Sequence, residues 1–504
     1  MRFLLVLLLA AAGPLAAQGS PFVPLDHPLL PLAEYLIARG DVADPSPMIR
    51  PFRRADLIRA IEAAQLDPAS PSGRIAASLR AAWSDPADPN WVRVAPRAGL
   101  DAFTSARRDL LHPAGDDGAR FYADLALEGR FGPLVLVSRT AAENRLKGDP
   151  DWAGAGLQRR KSQAYRFVEG YLAAQFEHAR LFFGQMDRNW GPVGALGLSV
   201  ANAAYPRTDL GLSVVFRDLQ FDVVAAGLTP MKASDGSIPD RLFLAHRLNV
   251  RVTRRLDLAL WETGVLTGSA ESPDLAFTNP MVLLSFPIQL GRADDRNAII
   301  GGDLSWRIPG GIRVQGQAMI DDRWRRKADP QGTGEPAHPG RWALSGVLAG
   351  PLGGGAAWRA SLGVISSLAY RTIDSTESFL DRGLGIGPTF PDQVTAGAAV
   401  QIPVRGRWLV TPDVVLLTQG EGRLDAPFPT GAALTATPEL FLGRKATTLR
   451  LGATVSGGTE RFQVDATGGY HHTTTADHVA GRTRTRFEGR LRVTVGLSRQ
   501  GAIR

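Results

Sequence analysis

The chain has 504 residues, 44% apolar and 21% charged, with a formal net charge of +8 and no cysteine. The missing cysteines exclude a disulfide framework and thiolate metal sites. Beyond the first residues no run approaches the ~20 apolar residues of a membrane-spanning helix, which leaves a transmembrane barrel open, because there only alternate residues face lipid.

At the start, Arg2, the apolar run Phe3 to Ala12 and the small residues before Gln18 read as a signal peptide over residues 1–17. Export sets the basic balance against lipopolysaccharide or an acidic glycan and not nucleic acid. Residues 18–92 then read as a small helical domain. Helices are expected at Leu29 to Ala38, ended by Gly40, at Arg53 to Ala64 and at Ser72 to Trp83. Pro86 and Pro89 mark a linker.

From there to residue 504 the pattern changes to period two. Leu449, Leu451, Ala453 and Val455 alternate with Arg450, Gly452, Thr454 and Ser456, which is the half-buried strand signal. Segments of this kind are expected at 94–104, 118–130, 132–140, 164–177, 178–187, 208–217, 218–227, 239–253, 256–267, 297–308, 311–323, 340–350, 355–368, 393–404, 406–418, 447–456, 460–470 and 486–498. They make about 18 strands, an even number that returns both ends to one side. Short turns at Gly132-Pro133, Glu177-His178, Arg217-Asp218, Arg254-Arg255, Pro309-Gly310, Pro351 to Gly354, Val404 to Gly406 and Gly457-Gly458 alternate with long loops. The expected fold is all-β: a transmembrane antiparallel barrel over residues 93–504, with the helices and short turns periplasmic and the long loops extracellular. A soluble sandwich or propeller is the competing fold, but no blade-length repeat is visible. Met281 to Leu290 reads either as a further strand or as a loop folded into the barrel.

Several segments bear on function. Gly184 to Pro192, with Arg188, Asn189 and Trp190, is followed by Leu196 to Ser199, Asn202 and Pro206. Arg241 to Leu248 contains His246 and Arg247, Trp261-Glu262 follows, then Thr278-Asn279-Pro280, then Ala318 to Asp322 with Asp321. In this order the segments resemble the capsule assembly (Wzi-type) family of outer-membrane proteins, over roughly residues 90–498. The resemblance implies an 18-stranded barrel with a periplasmic helical domain. It implies a lumen occluded by loops and a lectin for surface exopolysaccharide, without catalysis. Two departures stand out: Val193 takes the place of a second glycine, and the chain ends Ala502-Ile503-Arg504 without a terminal aromatic. The helical segment, through Pro24 to His27, Tyr35-Leu36, Arg50-Pro51 and Arg53 to Asp56, is similar to a single S-layer-homology-like module, which implies contact with peptidoglycan. A plain plug or assembly cap is the plainer reading of these helices.

The residues themselves suit a glycan. Sugar C–H faces stack on indole rings, and uronic carboxylates pair with the arginine fork. The candidate ligand-binding residues are Arg188, Asn189, Trp190, Asn202, Arg247, Asp321, Asp322 and Trp324. Against this, Asn189 and Trp190 could instead lock a loop inside the lumen, and Trp324 could belong to an interfacial belt. Arg247, Asn249 and Arg251 take lumen parity and are expected to pair with Asp257 or Glu262. His246 and Glu262 take lipid-side parity, so each is expected near a strand end.

His471 and His472 face opposite ways on a strand, so no metal is expected there. The carboxylates Asp101, Asp116, Asp117 and Glu143 have no spacing that fixes a hydrolytic pair. No nucleophile elbow, phosphate loop or zinc helix is found, so neither an enzyme nor a cofactor is expected. The function expected is an outer-membrane barrel that binds surface exopolysaccharide or capsular glycan. A porin or transporter for small anionic or sugar solutes is the alternative.

Overall fold

The computed structural model describes residues 19–104, 110, 117–144, 165–202, 206–268, 296–321 and 339–503. The expected leader at residues 1–17, Thr278 to Leu290, Asp322 and Trp324 lie outside them.

Strands β1 (Asn90–Phe103), β2 (Gly118–Phe131), β3 (Leu134–Glu143), β4 (Tyr165–Gln175), β5 (Ala179–Gln185), β6 (Thr208–Phe216), β7 (Leu219–Leu228), β8 (Asp240–Thr253) and β9 (Leu256–Gly268) form the first half of a barrel. The second half is β10 (Arg296–Arg307), β11 (Arg313–Asp321), β12 (Trp342–Pro351), β13 (Ala357–Ile365), β16 (Gln393–Val404), β17 (Trp408–Gln419), β18 (Ala446–Gly458), β19 (Phe462–Thr474) and β20 (Thr483–Gly496). A two-residue hairpin, β14 (Leu380–Asp381) and β15 (Leu384–Gly385), lies in the loop between β13 and β16. Every barrel strand pairs antiparallel with its neighbour. The ring closes where β1 meets β20, from Arg97 opposite Gly496 to Phe103 opposite Arg490. The short β21 (Arg499–Ala502) continues that seam along Trp91 to Val94.

These 18 strands are the ones the alternation predicts. One turn differs: Gly457 and Gly458 still belong to β18, and the chain reverses at Thr459 to Arg461. Their φ values of 136° and 131° suit only glycine, and a Cβ on either would strike the neighbouring backbone.

The outer face is apolar. Leu125, Leu172, Phe183, Leu210, Leu260, Leu344, Leu362, Leu416, Leu451 and Val495 are all exposed there. Between them Arg120, Arg139, Asp222, Arg247, Gln317 and Arg450 point inward and are buried. A soluble protein inverts this arrangement, whereas a closed barrel in lipid requires it. No helix among the described residues is long and apolar enough to cross a membrane.

Helices α1 (Leu30–Ala38), α2 (Arg54–Ala63) and α3 (Pro71–Trp83) match the expected positions. They share a core built on Leu32, Tyr35, Leu36, Leu57, Ile75 and Leu79, and that core continues onto Ala357 and Leu409 of the barrel. Polar contacts fix the docking. Arg39 donates to the Ala356 carbonyl at 2.7 Å, and the Tyr35 hydroxyl donates to that of Gly355. Arg54 pairs with Glu128 of β2 at 2.7 Å, and Arg139 of β3 with Asp26 at 2.7 Å. The helices therefore form a floor at the turn end of the lumen, beneath β13 and β17, with a cavity of about 450 Å³ left between α2 and β4 to β8.

Candidate functional site

Two unlike compartments lie above that floor, besides the cavity of about 450 Å³ between α2 and β4 to β8, which Arg188 lines. The first is packed. Inward positions of β7 to β13, including Val224, Phe243, Trp261, Ile299, Met319 and Ile365, form one apolar cluster. Into it fold Trp190, Leu198 and Val200 of the β5–β6 loop and Tyr370, Phe379 and Ile386 of the β13–β16 loop.

A polar knot runs through this cluster. Arg247 pairs with Asp303 of β10, which also accepts from Trp261 Nε1 at 2.7 Å and Gln317 Nε2 at 2.8 Å. Gln317 in turn donates to the Trp190 carbonyl at 2.9 Å and accepts from Leu198 N at 3.0 Å. The second loop is pinned in the same manner. Arg241 donates to the carbonyls of Thr376, Ser378 and Leu380, and Asp321 accepts from Tyr370 N at 2.6 Å. The Tyr370 hydroxyl then reaches the Leu198 carbonyl at 2.8 Å, so the two loops hold each other.

The second compartment is an open, polar cavity of about 610 Å³ beneath β13 and β16 to β20. Its floor is Asp26, His27, Leu30 and Glu34 of the helical segment, and its inner side is Pro192 to Leu196 of the β5–β6 loop. The barrel wall contributes Arg359, Ser361, Gln401, Thr411, Asp413, Arg450 and Arg492. Most charges here are matched. Asp413 holds Arg450 at 2.8 Å, Asp101 holds Arg492, and Glu34 holds Arg50 at 2.6 Å. Such a space, with fork donors, hydroxyls and amides on several sides, can receive a hydroxyl-rich ligand.

The sequence-predicted residues divide between the compartments. Trp190 is 2% exposed, inside the lumen, so its indole belongs to the packed half. Asn189 bridges the plug to the floor: its backbone pairs with Arg50, and its side chain holds Ala195 and Gly197 of its own loop. Arg188 makes a two-point pair with Asp209 at 2.7 and 2.8 Å and stacks on Phe182. Asp321, with no exposure, anchors the second loop. Asn202 lines the open cavity.

Two expectations about partners and height need correction. Arg247 pairs with Asp303, two strands away, and with neither Asp257 nor Glu262; Arg251 does take Asp257 at 3.2 Å. His246 and Glu262 sit opposite each other in mid-strand, on the outward face yet buried, and not near strand ends. Parity gives the face but not the height. His471 and His472 do face opposite ways: His471 meets Glu488 at 3.0 Å, and His472 bonds Thr485.

Next to Arg188, Asp187 faces Asp26 and Glu169. Burial raises its carboxyl to about 7, and these two carboxylates add to the effect, against Arg139 and Arg166. On the floor, His27 is held neutral: burial lowers it to about 3, and Arg97 adds to this.

Arg359, Gln401, Asp413 and Arg450 were not singled out from the sequence. The usable signal is the alternation: each sits at a lumen parity position flanked by outward Trp358, Ile402, Val414 and Leu449.

The sequence matches no family model and no curated protein. Among solved structures, Wzi of Escherichia coli has a TM-score of 0.62 at 14% identity, covering 94% of this chain and 99% of its own; it is described as a carbohydrate-binding β-barrel outer-membrane protein involved in group 1 capsule assembly. OprD of Pseudomonas aeruginosa has a TM-score of 0.42 at 11% identity over 81% of this chain and 95% of its own. A BenF-like porin from Pseudomonas fluorescens Pf-5 has 0.41 at 10% identity over 81% and 98%. The likeness to Wzi shows the fold, an outer-membrane β-barrel.

Proposed function

We propose that this protein is an outer-membrane lectin, a barrel that holds surface exopolysaccharide or capsular glycan without turning it over. The long loops then face the exterior, among lipopolysaccharide, and the helical floor faces the periplasm, within reach of peptidoglycan. One observation carries the reading: the polar cavity is floored by residues of the helical segment and flanked by a loop fixed to the wall, which gives a ligand surfaces on several sides. Its mixed hydroxyl, amide and guanidinium lining suits sugars. Wzi, with the same fold, is described as carbohydrate binding, which supports this assignment.

Binding of purified exopolysaccharide to the protein in detergent micelles tests the proposal. Saturable binding is expected, weakened when Asn202 or Arg450 at the cavity wall is replaced. Absence of binding to a panel of capsular and exopolysaccharides would overturn it. The second reading, a porin for small anionic or sugar solutes, rests on the same arginine-lined space and requires a path through the floor.

A further inference from the structure

Arg359 breaks the pattern of matched charge. It stands on β13 two residues above Ala357, where the helical floor packs, and points into the open cavity. The acidic groups that act on it are Glu34 and Asp413. Both are engaged elsewhere, Glu34 with Arg50 at 2.6 Å and Asp413 with Arg450 at 2.8 Å. Asp465 also lines the cavity, on β19, in register with Arg492. Among the described residues Arg359 has no hydrogen bond or ion pair. A half-buried guanidinium without a partner leaves its donors free for a ligand.

The surroundings keep space in front of it. Gly194 of the plug loop, at φ +74°, comes so close that a Cβ there would lie 2.0 Å from Arg359 Nη1. On the wall, Arg359 lies in register with Ala399, and Ser361 with Gly397, where a Cβ would meet the Ser361 hydroxyl at 2.9 Å. Gln401 is 5% exposed, and its Oε1 is buried without a hydrogen-bond partner. A free fork, an unsatisfied amide and a hydroxyl thus surround a recess walled by glycine and alanine.

We propose that Arg359, with Gln401 and Ser361 beside it, is a subsite for the carboxylate of an acidic sugar. The guanidinium takes the carboxylate in a two-point pair, and the amide and hydroxyl take the adjacent ring hydroxyls. The proposal rests on the glycan-binding reading and narrows it to uronate-bearing polymers; a free small carboxylate offers the same chemistry.

Calorimetric titration of the full-length protein in micelles separates these cases, using α-1,4-linked trigalacturonate, neutral α-1,4-galactotriose and monomeric galacturonate. Trigalacturonate should bind most tightly, and Arg359→Gln should weaken it by about tenfold to a hundredfold, as expected for loss of a charge-assisted pair. Galactotriose binding should be unchanged by that substitution. Arg359→Lys, which keeps the charge but loses the fork, should recover only part of the affinity. Thermal unfolding followed by circular dichroism confirms that each variant is folded. If both trisaccharides bind alike and Arg359→Gln alters neither, the subsite is wrong while the lectin reading survives. If only monomeric galacturonate binds, and Arg359→Gln abolishes it, the subsite stands and the polysaccharide reading falls. If no probe binds, the subsite is overturned.

Discussion

The two halves of the lumen obey different rules. Beneath β7 to β12 the barrel is filled like the interior of a soluble protein, with tryptophan, phenylalanine and aliphatic side chains around one buried polar knot. Beneath β13 and β16 to β20 it is open and charged, lined by Arg359, Asp413, Arg450 and Arg492. The same fold thus supplies a wall that only needs to stay still and a wall that has something to hold. In the packed half the buried guanidinium of Arg247 has a carboxylate partner, Asp303, which Gln317 also holds. In the open half Arg359 does not, and this difference assigns support to one side and binding to the other.

Substitutions should separate the halves by the size of their effect. The largest losses belong to the packed side. Arg247→Leu leaves Asp303 buried without its cation and should cost ~3–5 kcal/mol in urea unfolding from lipid vesicles. Pairing it with Asp303→Leu should recover much of that loss, because no buried charge then remains. Trp190→Ala empties the centre of the cluster and should cost a similar ~3–5 kcal/mol, with new protease cleavage between residues 186 and 202.

A smaller effect belongs at the boundary. Asp187 titrates near 3.8 when unperturbed and near 7 in the folded lumen. Between those values the native state holds a proton that the unfolded chain has lost, so stability falls as pH rises through the window. Asp187→Asn should flatten that slope in unfolding curves taken from pH 4 to 7.5. An unaltered slope would place the titrating group elsewhere. The smallest effect belongs to the open side: Arg359→Gln should leave stability unchanged or raise it by less than about 1 kcal/mol, because no native contact is lost and a partly desolvated cation is removed. A loss as large as that of Arg247→Leu would erase the distinction between the halves.

Much of the barrel was legible in the sequence, because a strand with lipid on one face and a polar lumen on the other must alternate. The pattern puts the turn at Gly457-Gly458 and not at Thr459 to Arg461, because these two glycines mimic a turn while extending a strand. The inward course of the β5–β6 loop was harder to see. Its length says nothing about direction, and Trp190 reads equally as a ligand platform or a core residue. The clue lay in the opposing wall: Val224, Ala226, Phe243, Ala245, Val265 and Met319 put apolar groups on the lumen face as well, which implies something apolar packed against them. Arg359 carries no mark in the sequence, because an unpaired charge is defined by the positions of its neighbours in space.

The central claim is that the open half is a closed-ended binding site and not a passage. Single-channel recording of the full-length protein in planar bilayers tests it most directly. The account predicts no steady conductance, because the helical segment and the inward loops obstruct the lumen. A stable ohmic current, blocked by acidic oligosaccharide, would contradict it and favour a pore.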